Sequence, residues 1–334
     1  MRARLALQRP VIGFAVCLAL AVFVSLCYSQ SKPQSKDPGK TISPATPAED
    51  DIDVVKIDSE LTTILMTATD KSGRLITTLA PEDIRVFEDD VPQQIVVFER
   101  QTDRPLSLAL AFDISWSQLQ TLSVQKGAAR LFLKTIFRPD RDKVAILSFG
   151  SLTILQQNFV VDLRSAQKAI DRLGASGGTA LFDAIFLTCR KVMDKSSPNT
   201  RRAIILLTDA KDTMSRLGPV DAVNGAVYAN TIVYGIGVGA EVDGDVLEYL
   251  ANQTGGRAFF PTDKKQLTNA FAKIEEELRS QFFIGYRPTN RLMDGKRRNL
   301  SIEIINPAVA KGKVLLAYRA HYYAKKRDIP AGGS

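Results

Sequence analysis

The 334-residue chain is 45% hydrophobic and 24% charged, a globular composition that sets disorder aside as the state of its bulk. Its net charge of +8 is uneven: Arg2, Arg4 and Arg9 precede the first apolar run, and between Tyr286 and Arg327 eleven Lys or Arg face only Asp294 and Glu303. These tail charges are scattered among strand-like residues, which reads as an exposed sheet edge kept soluble, with an acidic partner or a membrane surface as the alternative. No nucleic-acid partner is expected. One His (His321) excludes a His-Glu-x-x-His zinc site and makes a Ser/His/Asp triad a poor reading. Of three cysteines, Cys17 and Cys27 lie in the N-terminal apolar stretch, so Cys189 is left alone and no disulfide framework can form.

Residues 1–29 combine the three arginines, an apolar run from Val11 to about Leu26 and small residues beyond. That is the pattern of a secretory signal cut before Gln30, with Cys27 and Ser29 at the −3 and −1 positions. An uncleaved anchor and a lipoprotein cut before Cys27 are the alternatives. All three place the rest of the protein outside the cytoplasm. Residues 30–52 read as a flexible spacer rich in Pro, Ser, Lys and Thr.

Period-two alternation then marks a small β unit over 53–102, with strands at Leu61–Thr69, Ile84–Glu88 and Gln94–Glu99, the last two joined through Asp89, Asp90 and Pro92. From Pro105 the pattern becomes strand and helix in alternation. Strands are expected at Ser107–Phe112, Lys143–Phe149, Leu152–Val160, Arg202–Thr208 and Thr231–Val238. Gly150-Ser151 would be a hairpin turn between the second and third. Helices are expected at Leu119–Phe137, Ser165–Leu173, Ala180–Met193, Val220–Ala229, Asp245–Gln253 and Lys265–Arg279. This alternation predicts an α/β fold over 105–280: a doubly wound, mostly parallel sheet with helices on both faces. A second β segment covers 281–325, with strands at Phe282–Arg287, Asn299–Ile305 and Val314–Tyr323 and Asp294-Gly295 as the turn between the first two. Each β segment is too small to be stable alone, so the two are expected to pack together. Residues 326–334 read as a disordered tail.

Ligands of open parallel sheets gather at the carboxyl ends of strands. Asp113-Ile114-Ser115-Trp116-Ser117 follows the first buried strand, Gly177-Gly178-Thr179 enters a helix, and Thr208-Asp209 ends another strand. Oxygen donors without Cys or His select a hard divalent cation, Mg²⁺ first, with Mn²⁺ or Ca²⁺ as alternatives. Helix capping explains Asp113 and Asp209 singly but not the coincidence of the whole set. Asp212, three residues after Asp209, reads as a solvated surface acid, with a supporting role behind the site as the alternative. Gly235-x-Gly237-x-Gly239 reads as packing, not as a dinucleotide loop.

Asp-x-Ser-x-Ser, Gly-Gly-Thr and Thr-Asp, in this order, resemble the metal-ion-dependent adhesion site of von Willebrand factor A domains over about 105–280. The resemblance implies direct coordination by Ser115, Ser117 and Thr179, with Asp113 and Asp209 acting mainly through waters. A carboxylate offered by another protein would fill the open position. The flanks, through Val86-Phe87-Glu88-Asp89-Asp90 and Gly285-Tyr286-x-Pro288, resemble exported bacterial proteins that carry such a domain. Asp90 departs from their pattern, standing where Gly is usual, and so does His321. The reading is an exported, non-enzymatic binding module, periplasmic or secreted, membrane-associated only if its leader is retained or lipidated. An envelope scaffold with a structural cation and a metal-assisted hydrolase are the rivals. Trp116, the single Trp, is the candidate partner anchor, with a packed loop residue as the equal alternative; in both its side chain points away from the cation.

Overall fold

The computed structural model describes residues 61–100, 104–197 and 200–326; the leader at 1–29, the spacer at 30–52, the segment 53–60 and the tail from 327 lie outside them. Among the described residues no helix is long and apolar enough to cross a membrane.

Four strands come first: β1 (Thr62–Thr69), β2 (Ile84–Glu88), β3 (Val91–Gln93) and β4 (Ile95–Arg100). Then follow β5 (Leu106–Asp113), α1 (Leu122–Ile136), β6 (Lys143–Phe149), β7 (Thr153–Val160), α2 (Leu163–Asp171), α3 (Leu181–Lys191) and β8 (Arg201–Thr208). The middle ends with α4 (Pro219–Tyr228), β9 (Thr231–Gly237), α5 (Gly244–Thr254), β10 (Ala258–Phe259) and α6 (Lys264–Arg279). Last come β11 (Phe282–Tyr286), β12 (Arg297–Ile304), the short α7 (Pro307–Ala310), β13 (Leu315–Ala317) and β14 (His321–Tyr323).

The middle of the chain is a doubly wound α/β domain. Its six-stranded sheet has the order β10-β9-β8-β5-β6-β7, parallel throughout except for β7, which returns antiparallel to β6. β5 explains why both faces are covered. Leu106, Leu108, Leu110 and Phe112 fall on one side against α1, α2 and α6. Ala109 and Ala111 fall on the other, where α3, α4 and α5 pack. Every residue of β5 is buried, as a central strand between two helical layers requires. Small alanines on the second face let those helices approach closely, whereas the leucines supply the larger core.

The two β segments share one core. β1 pairs with β11 and β11 with β4, while β2 pairs with β12. Ile64, Met66 and Ala68 of β1 meet Ile84 and Val86 of β2, Phe282 and Ile284 of β11, and Leu300 and Ile302 of β12. Two four-stranded sheets result, ordered β13-β1-β11-β4 and β14-β12-β2-β3.

Three local expectations are corrected. Ile84–Glu88 and Gln94–Glu99 are not partners: β2 turns at Asp89-Asp90 into the short β3, and β4 crosses to the other sheet. Asp294-Gly295 does turn, with Gly295 at φ +70°, but the strands on either side belong to different sheets. The single strand expected over Val314–Tyr323 is two, because the chain changes sheets at Tyr318–Ala320. There the Tyr318 hydroxyl accepts the Ile302 amide at 2.9 Å, and the Ala320 amide donates to the Gln253 carbonyl at 3.2 Å. At the β2–β3 turn, Asp89 and Asp90 take φ of +46° and +64°, a left-handed conformation costly for most side chains but tolerated by Asp. The Asp89 carboxylate is also tied to the Asn299 amide of β12 at 2.9 Å.

Candidate cation site

The order of the six-stranded sheet reverses direction around β5, which lies between β6 and β8. Ligands of doubly wound sheets gather outside the carboxyl ends of the strands at this switch point, and the Asp113 and Asp209 loops leave the sheet there. The Asp113 carboxylate is wholly buried. One oxygen accepts the Ser115 amide at 2.9 Å and the other accepts the Thr208 hydroxyl at 2.6 Å. The Thr208 hydroxyl in turn accepts the Ala210 amide at 2.9 Å, so two neighbouring strands fix this one carboxylate. Beyond it a short 3₁₀ turn over Trp116–Gln118 brings the Ser115 and Ser117 hydroxyls to 3.0 Å from each other.

Asp209 and Thr179 complete the set. Both are buried, and the loop after Asp209 clasps Thr179: Thr213 and Met214 donate their amides to the Thr179 carbonyl at 2.8 and 2.9 Å. The Thr179 amide donates to the Thr213 hydroxyl at 3.0 Å. The structure therefore brings Asp113, Ser115, Ser117, Thr179 and Asp209 onto adjoining loops. Burial raises the Asp113 pKa to about 6, aided by the negative charge of Asp209 and opposed by hydrogen bonds from Ser115 and Thr208. The ammonium of Lys211, the residue two beyond Asp209, is drawn to Glu241. Oxygen donors alone, among them the carboxylates of Asp113 and Asp209, fit a hard divalent cation.

Two supports are not legible in the sequence, and a third, Asp212, is legible only as the lesser of two readings. Gln118 is completely buried, with its side-chain amide 3.5 Å from the Ser117 hydroxyl and its carbonyl accepting Gln125 at 2.8 Å and Thr121 at 3.0 Å. The one available signal is Gln125, a polar residue on the apolar face of α1. Gly239 lies flat against the site: a Cβ there would stand 3.1 Å from the Asp209 Cβ, and its φ of +144° disfavours any side chain. Asp212 corrects the expectation of a solvated acid. Its carboxylate accepts the Leu181 and Phe182 amides at 2.8 and 3.3 Å and the Ser215 hydroxyl at 2.6 Å. It caps the start of α3 and so anchors the loop that carries Thr179.

Trp116 donates its amide to the Gly177 carbonyl at 3.2 Å, while its side chain is 63% exposed on the rim. Leu119, Leu152 and Met214 are exposed as well. They sit on interlocking loops: the Ala180 amide donates to the Gly150 carbonyl at 2.8 Å, and a Cβ on Gly178 would lie 2.9 Å from Met214.

A parallel sheet covered on both faces, with hydroxyls and carboxylates converging at its switch point, defines a doubly wound α/β domain built around an oxygen-lined site. The model of the von Willebrand factor type A domain matches residues 107–273, half of the chain, and the chain belongs to that family. Over 181 residues it is 27% identical to an uncharacterized Synechocystis protein, sll0103, matching 52% of this chain and 42% of the relative's length. Among solved structures it is similar to a von Willebrand factor type A protein from Catenulispora acidiphila, at 14% identity and TM-score 0.48, covering 80% of this chain and 74% of that one. It is also similar to BatB from Bacteroides thetaiotaomicron, at 19% identity and TM-score 0.43, covering 52% of this chain and 100% of that one. The proximal thread matrix protein 1 of mussel byssus, in a form with a zinc-occupied MIDAS motif, aligns at 18% identity and TM-score 0.49, covering 57% and 50%.

Proposed function

We propose that the protein is an exported, non-enzymatic binding module that holds one divalent cation, Mg²⁺ in the first instance, and uses it to capture a carboxylate of another protein. The convergence of the Ser115 and Ser117 hydroxyls beside the buried Asp113 carboxylate carries this reading. Ser115, Ser117 and Thr179 would hold the cation, and Asp113 and Asp209 would balance its charge. When bound, the cation supplies positive charge and an open coordination position. The single His lies buried in β14 of the flanking unit, away from the donor set, so no imidazole serves it as a general base. Export rests on the leader pattern of residues 1–29.

Calorimetric titration of the full chain with Mg²⁺ tests the reading. A dissociation constant on the order of 10⁻⁴–10⁻³ M is expected for a site with two carboxylates. Thr179→Ala should weaken it at least about tenfold while unfolding stays cooperative. A wild-type protein that takes up neither Mg²⁺ nor Mn²⁺ ends the proposal.

Trp116 is the proposed anchor for the partner. An exposed Trp on the same interlocking loops as the exposed Leu119, Leu152 and Met214 offers apolar surface that a partner residue next to the carboxylate would cover. Trp116→Ala should weaken Mg²⁺-dependent partner capture from envelope extract by about 2 kcal/mol, roughly thirtyfold, with Mg²⁺ affinity unchanged. Undiminished capture by the variant would remove the anchor.

A further inference from the structure

At the opposite end of the six-stranded sheet from the cation site, a cavity of about 390 Å³ opens where the β unit meets the amino end of β9. Among the described residues its walls carry Arg287, Arg291 and Arg319 and no carboxylate. Arg319 is the most constrained of the three. Its Nη1 donates to the Asn230 side chain at 3.1 Å and its Nη2 to the Thr63 carbonyl at 2.7 Å. The guanidinium lies 5.6 Å from the centre of the Tyr322 ring, and Nε is buried without a hydrogen-bond partner. All of these contacts are neutral. The carboxylate that the Tyr322 hydroxyl reaches, Glu88, is shared with Tyr286 and is not part of the wall. A partly buried guanidinium beside Arg287 and Arg291, with no acid among the described lining residues, leaves a local excess of positive charge in a region of reduced dielectric.

The rest of the lining is apolar or aromatic. Tyr228 and Tyr323 stack with ring centres 4.2 Å apart, and the Tyr323 hydroxyl is fixed to Asn224 at 2.8 Å, so these rings form a rigid flat wall. Leu292 and Met293, also in the lining, are 66% and 52% exposed, and Asp294 beyond them is paired with Arg298 at 3.0 Å. The volume suits a small molecule or one chain end.

We propose that this cavity is a second binding site, independent of the cation, for an anion with an apolar or aromatic body. The carboxylate or phosphate head is held among the basic side chains, and the body lies on the tyrosine wall under Leu292 and Met293. A free small molecule and the C-terminal carboxylate of a peptide both offer this chemistry.

Calorimetry on the full chain decides it, with phenyl phosphate, N-acetyl-phenylalanine, N-acetyl-phenylalanine amide and a decapeptide ending in Phe as probes. The two anionic small molecules should bind saturably, and the neutral amide about tenfold more weakly or worse. The exposed pair Arg287→Gln/Arg291→Gln, which leaves the buried Arg319 in place, should weaken phenyl phosphate by a similar factor. Tighter binding of the decapeptide than of N-acetyl-phenylalanine assigns the site to chain ends; equal binding assigns it to free molecules. Equal affinity for the acid and its amide, or no change in the double variant, overturns the proposal. Binding should survive chelator and Thr179→Ala, so failure of the cation site leaves this result readable, and loss of phenyl phosphate binding in chelator would overturn the claim of a separate site.

Discussion

Asp113→Asn is expected to make the chelator-treated protein more stable at about pH 7, by up to about 3 kcal/mol, while abolishing its response to Mg²⁺. The folded protein releases the Asp113 proton near pH 6, against an ordinary value of 3.8. Between those two values the folded state holds a proton that the unfolded chain has already given up. Raising the pH through this window therefore removes stability, and above it the full cost persists. Asn keeps the shape and a hydrogen-bonding oxygen but carries no charge to bury or to oppose Asp209. In the wild type a bound cation offsets the same cost, so Mg²⁺ at about a hundred times its dissociation constant should add about 2.7 kcal/mol. Urea unfolding with chelator and with Mg²⁺, at about pH 5 and about pH 7, measures all of this. An Asn variant less stable than the wild type in chelator, with no pH dependence in the wild type, would show that Asp113 is not a strained charge.

Glu88→Ala should cost about 3–5 kcal/mol, although it touches nothing at the cation site. Glu88 is 2% exposed. It accepts the hydroxyls of Tyr286 at 2.7 Å and Tyr322 at 2.8 Å and lies 3.9 Å from the buried Arg298. Its removal strands two phenol donors and leaves Arg298 the Asp294 carboxylate at 3.0 Å and long bonds to the Arg297 and Leu292 carbonyls at 3.5 Å. Glu88→Gln retains an acceptor and should cost less than half as much. The midpoint of urea unfolding gives both values. Equal, small losses for the two variants would mean that the phenols find other acceptors.

Glu88 also marks where reading a sequence stops. The α/β domain is legible because its signals are local. Leu and Ala alternate along Leu108–Ala111, and Asp-x-Ser-x-Ser, Gly-Gly-Thr and Thr-Asp each occupy a few consecutive residues at an element end. The candidate cation site can therefore be assembled from short motifs and a rule about where strands end. Sheet membership has no such signal. Period two declares Phe282–Arg287 and Asn299–Ile305 to be strands but does not say that they part company at Asp294-Gly295. The partners of Glu88 lie 198 and 234 residues away, so nothing near it in the chain distinguishes it from an ordinary polar position on a half-buried strand. Asp212 misleads for the same reason. An acid in a polar loop looks solvated until Leu181, 31 residues earlier, is known to present its amide.

The closure of β1 by β11 and of β2 by β12 sets a timetable for synthesis. β4 ends at Arg100 and β13, the last partner of these strands, at Ala317, so at typical ribosomal rates roughly 10–40 s pass between the first strands and the last of their partners. The α/β domain can complete its sheet within that interval, since all its strands lie between. The first segment cannot, and its open edges are a template for pairing with the same segment of a neighbouring nascent chain. Newly made copies should accordingly be most prone to association late in translation, after the α/β domain has folded and before β11 and β12 arrive.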